Sequence, residues 1–178
     1  MRTRFWRGLL VLVVLLEASC APQVAPRQSA YHYSAKVSGT EIWVTLDPSK
    51  EEIVVRDRGQ PAYFCTGKDD SFCVRSDELF LEIPRTLTPK EGVTWASKGV
   101  THVYHGALKV DFRGRPIYVH RIQTSKPSFG TVDFFISPAY GLIRFRVAMP
   151  EGTAQYELTP ELSAGWKVFE GNNSKMWN

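Results

Sequence analysis

The stretch that decides the fold is residues 132–147, VDFFISPAYGLIRFRV. Val132, Phe134 and Ile136 recur at every second position, which is typical of a strand with one buried face. Residues 137–141 then combine a proline and a glycine in the order that a turn requires. The return strand has one predicted face of Ile143, Phe145 and Val147 and another of Leu142, Arg144 and Arg146. We therefore predict an antiparallel hairpin.

The same period of two recurs on both sides of this hairpin. It is found in residues 42–46, 79–83, 108–112, 117–120 and 155–158. Helical signals are confined to two capping sequences, at residues 88–91 and 159–162, and a glycine follows each of them closely. We predict a mainly β fold, namely a single antiparallel sheet of about six to nine strands. The sheet curls into a half-barrel or partial barrel, with at most short helical turns.

The N-terminus predicts export. Arg2, Arg4 and Arg7 precede an apolar run over residues 8–16. A membrane-spanning helix needs about 20 apolar residues, so this run is too short for a permanent span. A positive start followed by a short apolar segment is typical of a secretory signal peptide, which we place at residues 1–19.

The end of this segment resembles the lipobox of bacterial lipoproteins. Ala18, Ser19 and Cys20 match the small residues and the cysteine that becomes the lipidated first residue, whereas Glu17 departs from the aliphatic residue of the family. The resemblance implies lipidation of Cys20, and several acyl chains anchor a protein stably. The alternative is ordinary cleavage near Ala18 or Ala21, which would release a soluble protein.

The rest of the chain divides into a tether and a single domain. By the same resemblance, Ala21 is not the aspartate that retains lipoproteins in the inner membrane, which implies delivery to the periplasmic face of the outer membrane. Residues 20–30, with two prolines and several small polar residues, predict a flexible tether. Residues 31–178 are predicted to form one β-rich domain, because no linker or repeat divides them.

The remaining cysteines predict a disulfide. With Cys20 lipidated or removed, Cys65 and Cys73 form an even pair in an oxidising compartment. The residues between them are rich in turn formers, so the bond would close the end of a hairpin. A metal site is disfavoured because no second cysteine or histidine pair has the spacing of a zinc site.

Charge and motifs exclude several functions. The chain has 22 Lys+Arg and 18 Asp+Glu, a net charge of +4, which falls to +2 when residues 1–19 are removed. A nucleic-acid-binding domain is normally strongly basic, so we predict no nucleic-acid partner. The sequence contains no glycine-rich phosphate loop, Gly-x-Ser-x-Gly or His-Glu-x-x-His motif, so no cofactor is predicted.

The histidines give little support to catalysis. His102 and His105 are three residues apart on a predicted strand, so their side chains should point to opposite faces. We therefore predict that the protein is not an enzyme. The alternative is a secreted hydrolase whose residues meet only in the folded chain, around His102, His105 or His120.

A candidate binding surface combines basic and aromatic residues. Arg144 and Arg146 share a strand face. The preceding hairpin region adds further basic residues, namely Arg113, Arg115, Arg121 and Lys126. If the strands align, a basic patch there could meet anionic lipid head groups or a wall polymer. Ordinary solvent exposure explains the same arginines. Aromatic candidates for a ligand groove are Trp43, Trp95, Tyr118, Phe129 and Tyr140. These rings could equally be core residues. We select Arg144, Arg146, Tyr118 and Tyr140 as the candidate surface.

The segment at residues 134–145, FFISPAYGLIRF, is similar to a strand-turn-strand unit of half-barrel proteins such as the Lol lipoprotein carriers. The resemblance implies an apolar cavity that handles lipid or lipoprotein, and it carries over no binding residue. We predict an outer-membrane-anchored periplasmic lipoprotein with a binding or structural role. Its partners would be the membrane, through the N-terminal lipid, and an envelope protein or apolar ligand. A carrier of lipid or lipoprotein is the alternative.

Overall fold

The computed structural model describes residues 30–65, 69–126, 130–149, 152–162 and 164–167, and within them the chain forms strands and no helix. No helix of this described part is therefore long and apolar enough to cross a membrane. The predicted signal peptide, Cys20, nearly all of the tether and Phe129 lie outside the described residues.

The strands in chain order are β1 (Tyr31–Val37), β2 (Thr40–Asp47), β3 (Glu52–Val55), β4 (Arg58–Pro61), β5 (Tyr63–Phe64), β6 (Ser71–Arg75), β7 (Phe80–Pro84), β8 (Thr94–Ser97), β9 (Val100–Phe112), β10 (Arg115–Lys126), β11 (Gly130–Ser137), β12 (Gly141–Met149) and β13 (Gly152–Leu158).

The strands form two antiparallel sheets. The large sheet has ten strands in the order β4-β3-β2-β1-β13-β12-β11-β10-β9-β8, and the small sheet has three in the order β5-β6-β7. The large sheet is open, because β4 and β8 form its two edges. The prediction of a mainly β, antiparallel fold is confirmed. The chain forms more strands than predicted, and β5 to β7 leave the large sheet to form the second one.

A single apolar core lies between the two sheets. From the large sheet it includes Tyr33, Phe134 and Phe145, all at most 2% exposed, and from the small sheet Leu81 and Ile83. The face of the large sheet that contributes to this core is called its inner face below, and the opposite one its outer face. The rings of Tyr33 and Phe145 meet edge-on with centroids 5.4 Å apart. Side chains of the small sheet thus occupy the space along the inner face.

A β-bulge changes the predicted alternation of the return strand. Phe135 pairs with Arg144, but Ile136 pairs with Leu142, so Ile143 is an extra residue on β12. An extra residue shifts the alternation by one position. Leu142 therefore joins Phe145 in the inner core, and Ile143 packs on the outer face with Phe135. The predicted faces of Leu142 and Ile143 were wrong for this reason.

A C-terminal segment holds the turn between β11 and β12. The amide of Gly165 donates to the carbonyl of Tyr140 at 2.7 Å, and the amide of Leu142 donates to the carbonyl of Trp166 at 2.8 Å. The buried hydroxyl of Tyr33 donates to the Leu142 carbonyl at 2.9 Å. A Cβ at position 165 would collide with that same carbonyl, so only glycine allows the close approach.

The predicted disulfide is present. Cys65 and Cys73 are bonded, and the amide of Cys65 donates to the carbonyl of Cys73 at 2.9 Å. The bond joins the chain just after β5 to the middle of β6, so it links two neighbouring strands of the small sheet.

Candidate functional site

One hairpin of the large sheet projects past its neighbours. Strands β9 and β10 have 13 and 12 residues, whereas β11 has 8. The pairing of β10 with β11 begins at His120 and Ile136, and His120 pairs with Ala107, so residues 108–119 extend beyond the paired part of β11. These residues are called the hairpin tip below. The tip begins two residues after Gly106, which has a positive φ of 90° at a register shift between β9 and β10, and such bulges bend a strand pair.

A crevice of about 610 Å³ lies between the hairpin tip and the turn that joins β11 to β12. This volume is within the usual range of small-molecule sites, roughly 300–1,000 Å³. Its lining consists of Ala107, Ile117, Tyr118, His120, Ser137, Pro138, Ala139 and Tyr140. Most of these side chains are apolar or aromatic. Tyr118 is 69% exposed, which is unusual for a large ring and leaves it accessible to a partner.

The outer side of the hairpin tip is packed. Val119, Phe135 and Ile143 form a small buried cluster there, separate from the inner core. The ring of Tyr140 packs against that of Phe112 with centroids 5.5 Å apart. Tyr140 thus belongs both to the crevice and to the cluster that supports the tip, so this wall is held in place before any partner binds.

His120 forms part of the crevice wall and has a fixed partner. Its Nδ1 atom lies 2.8 Å from the hydroxyl of Tyr104, and both side chains are buried. Burial, aided by the charge of Glu91, raises the pKa of Tyr104, so the phenol stays protonated and can donate to the imidazole. The Tyr104 hydroxyl thus lies within hydrogen-bond reach of this histidine, which is the arrangement that the hydrolase alternative requires around His120. The contact orients the ring.

The candidate surface predicted from the sequence is divided between two places. Tyr118 and Tyr140 meet at the crevice, whereas Arg144 and Arg146 are not among its lining residues. Both guanidinium groups lie over the ring of Phe135 on the outer face, at 5.9 and 4.9 Å from its centroid.

Each arginine also has a polar partner on β13. Arg144 forms an ion pair with Glu157 at 2.8 Å, and the Nε of Arg146 donates to the side-chain oxygen of Gln155 at 2.7 Å. On β10, Arg121 is similarly paired with Asp133 at 3.0 Å. These contacts pair each arginine of the outer face with a polar side chain of the same sheet, while the buried Nε of Arg144 has no hydrogen-bond partner among the described residues.

A second polar cluster lies between the sheets around Glu82 of β7. Its carboxylate accepts hydrogen bonds from Arg75 at 2.7 Å and Ser97 at 2.6 Å. Burial opposes ionisation of Glu82, but bonds from Arg75, Ser97 and Ser71 outweigh it and lower its pKa. The cluster therefore holds a charged carboxylate that ties the small sheet to the edge of the large one.

His102 packs beside this cluster. It is fully buried, stacks on Trp95 with ring centroids 5.1 Å apart, and accepts a hydrogen bond from the amide of Glu82 at 3.2 Å. Burial lowers the pKa of His102 to about 4, although the charge of Glu82 partly opposes the shift. His105, also on β9, is exposed. His102 is thus buried and His105 exposed, as expected for side chains on opposite faces of the strand.

The other aromatic candidates lie away from the crevice. Trp95 is half-buried against His102, and Trp43 is 44% exposed on β2. Within the described residues, no group of three or more His, Cys, Asp or Glu side chains is placed to hold a metal ion.

Sequence reasoning named Tyr118, Tyr140 and, for the hydrolase alternative, His120, and it missed the other five crevice residues, among them Ala107, Ile117 and Ser137. The signal that could have located the crevice was the length of β9 and β10. Their alternating patterns continue over more residues than the neighbouring strand β11 can pair. Comparison of the chain with known protein families, curated proteins and solved structures finds no match.

Proposed function

We propose that the chain is a lipid-anchored protein of the bacterial cell envelope with a non-enzymatic binding role. Its folded domain binds an apolar side chain of an envelope protein in the crevice beside the hairpin tip. The observation that carries this proposal is the crevice itself, which has about 610 Å³ of space and a mostly apolar lining next to the exposed ring of Tyr118.

Preformed walls support binding at this place. One wall is the turn at residues 138–140, which hydrogen bonds from the C-terminal segment hold against the sheet. The other wall is the hairpin tip, which packs against the outer cluster through Phe112 and Tyr140. A site whose walls are already ordered loses little conformational entropy when a partner binds.

The core favours a binding module over a carrier of lipid. A carrier needs an open apolar cavity inside the sheet, but side chains of the small sheet pack along the inner face and share one buried cluster with it. Leu81 and Ile83 are fully buried in that cluster. An acyl chain could enter this space only if the two sheets separated, at the cost of exposing this core to water.

The proposed location depends on two features. The lipobox-like residues 18–20 support an acyl anchor at Cys20, and Ala21 supports delivery to the outer membrane. The Cys65–Cys73 disulfide is compatible with an oxidising compartment such as the periplasm. An anchor confines the domain to a surface and raises its local concentration, so a weak contact in the crevice is sufficient.

The crevice can be tested with an apolar fluorescent probe, N-phenyl-1-naphthylamine, titrated into the purified full chain. We expect saturable binding with one site per chain. Ala107→Phe places a ring in the crevice and should weaken binding at least tenfold, a loss of roughly 1.4 kcal/mol or more. Thr101→Phe is the matched control, because Thr101 is an exposed residue of the same strand that does not line the crevice.

The two variants separate the possible outcomes. Loss of binding in Ala107→Phe with retention in Thr101→Phe would support the crevice as the site. Equal affinity in wild type and Ala107→Phe, or no saturable binding by wild type, would refute it.

A further inference from the structure

The hairpin tip and the start of the folded chain lie at the same end of the large sheet. The Nη2 of Arg113, at the turn of the tip, donates to the carbonyl of Thr159 at 2.7 Å. The amide of Thr159 donates in turn to the carbonyl of His32 at 3.0 Å. His32 is the second residue of β1, so two successive hydrogen bonds connect the tip to the strand that follows the predicted tether.

The tip is positively charged and exposed. Lys109, Arg113 and Arg115 are exposed, and the acidic residue of the tip is Asp111. The Asp111 carboxylate accepts a hydrogen bond from the amide of Gly114 at 3.1 Å, which stabilises the turn. Three cations and one carboxylate leave the tip with an excess of positive charge. In contrast, two of the outer-face arginines described above, Arg121 and Arg144, are paired with carboxylates.

Aromatic residues accompany these charges. Tyr118 is 69% exposed on the tip, and Arg113 lies over the ring of Phe112 at 4.7 Å from its centroid. Tyrosine is enriched where proteins meet the membrane–water interface, because its ring is apolar and its hydroxyl is polar. Basic residues near such rings add attraction to anionic head groups.

We propose that the hairpin tip rests on the anionic surface of the membrane that holds the N-terminal anchor. The inference depends on the proposed lipid anchor and adds a second membrane contact to it. The ten Cα–Cα steps from Cys20 to Ala30 can span at most about 35 Å, which limits how far the start of β1 can lie from the bilayer. The tip extends beyond the paired part of β11 by about five residues per strand, or roughly 17 Å, on this same side.

The opposite end of the sheet cannot make this contact at the same time. Lys98 precedes β9 and Lys126 ends β10, so both lie at the far ends of the strands that form the tip. A strand of 13 residues is roughly 43 Å long. The anchor and the tip together therefore fix the orientation of the domain. The end of the large sheet that carries the turns at residues 113–114 and 138–140 faces the bilayer.

The contact can be measured without the anchor, by sedimentation of residues 20–178 with Cys20→Ser in the presence of vesicles, because the predicted signal peptide would itself bind lipid. We compare vesicles of phosphatidylethanolamine with phosphatidylglycerol and vesicles of neutral phosphatidylcholine, at low and high salt. Each basic residue near an anionic surface strengthens partitioning by about fivefold. Lys109→Gln with Arg115→Gln should therefore weaken binding to anionic vesicles by about 30-fold. These changes leave the Arg113 hydrogen bond to Thr159 in place.

The matched control is Lys98→Gln with Lys126→Gln, which removes the same charge from the far end. Binding that requires anionic lipid, weakens with salt and is lost in the tip variant but not in the control would support the proposal. Equal binding to neutral and anionic vesicles, or equal effects of the two double variants, would overturn it. Failure of the anchor would instead appear in cells as membrane association and acyl labelling that Cys20→Ser leaves unchanged, so the two proposals fail separately.

Discussion

The buried imidazole of His102 makes the stability of the fold depend on pH in a defined range. The pKa of His102 is about 4 in the folded chain and 6.5 ordinarily. The unfolded chain therefore binds a proton at this position between pH 6.5 and 4, while the folded chain does not. Folding is fully stabilised above pH 6.5, and this stabilisation is lost as the pH falls. Linkage gives a loss of about 2 kcal/mol in the free energy of unfolding between pH 7 and pH 5.

The neighbouring carboxylate does not obscure this range. Glu82 has a lowered pKa, and its ordinary value is 4.5, so its stabilising effect is present above that value and is lost mainly below pH 5. The rings that pack against His102 are Trp95 and Phe80, which do not titrate. The window from pH 7 to pH 5 thus separates the effect of His102 from that of Glu82.

Urea denaturation followed by tryptophan fluorescence at pH 7, 6 and 5 measures the effect. His102→Gln keeps a neutral side chain that can still accept a hydrogen bond from the Glu82 amide. Between pH 7 and pH 5, the free energy of unfolding of this variant should therefore fall by about 2 kcal/mol less than that of the wild type. His105→Gln, on the exposed side of the same strand, should retain the wild-type slope. A His102→Gln variant with the same slope as wild type would refute the reasoning, whatever its absolute stability.

Two further predictions concern the cysteines. Replacing Cys65 and Cys73 with alanine should lower the free energy of unfolding by about 2.5 kcal/mol, because the closed loop no longer restricts the unfolded chain. Thiol titration of the unfolded wild type should find this pair oxidised, and two reactive thiols would contradict the bond. Cys20→Ser should abolish acyl labelling and release the chain from membranes into the periplasmic fraction. Continued membrane retention of this variant would count against the anchor, and the Cys65 and Cys73 variants serve as its control because they keep Cys20.

The alternation of residues was sufficient to place the main strands. Val132, Phe134 and Ile136 are buried on one face as predicted, and so are residues 42, 44 and 46 of β2. The opposite orientation of His102 and His105 followed from their odd spacing. These features are local, because the geometry of a strand directs neighbouring side chains to opposite faces whatever its partners are.

The pairing of strands could not be predicted in this way. The extra residue at Ile143 reverses the faces of its neighbours, and no local pattern marks it. The partners of Arg144 and Arg146, Glu157 and Gln155, come from β13, which pairs with β12 through a register that the sequence alone does not show. The separation of β5 to β7 into a second sheet could not be predicted either. It depends on the strands of the large sheet that pack against the small sheet, and these are distant in the sequence.

The sequence by itself determined that the chain forms antiparallel strands and joins Cys65 to Cys73. It also predicts export through residues 1–19. Only the tertiary structure shows that β9 and β10 extend beyond the end of β11, and this difference in length creates both the crevice and the hairpin tip. The physical reason is that strand formation depends on near neighbours, whereas the place where one strand ends beside another depends on the sum of many weak contacts between residues far apart in the chain.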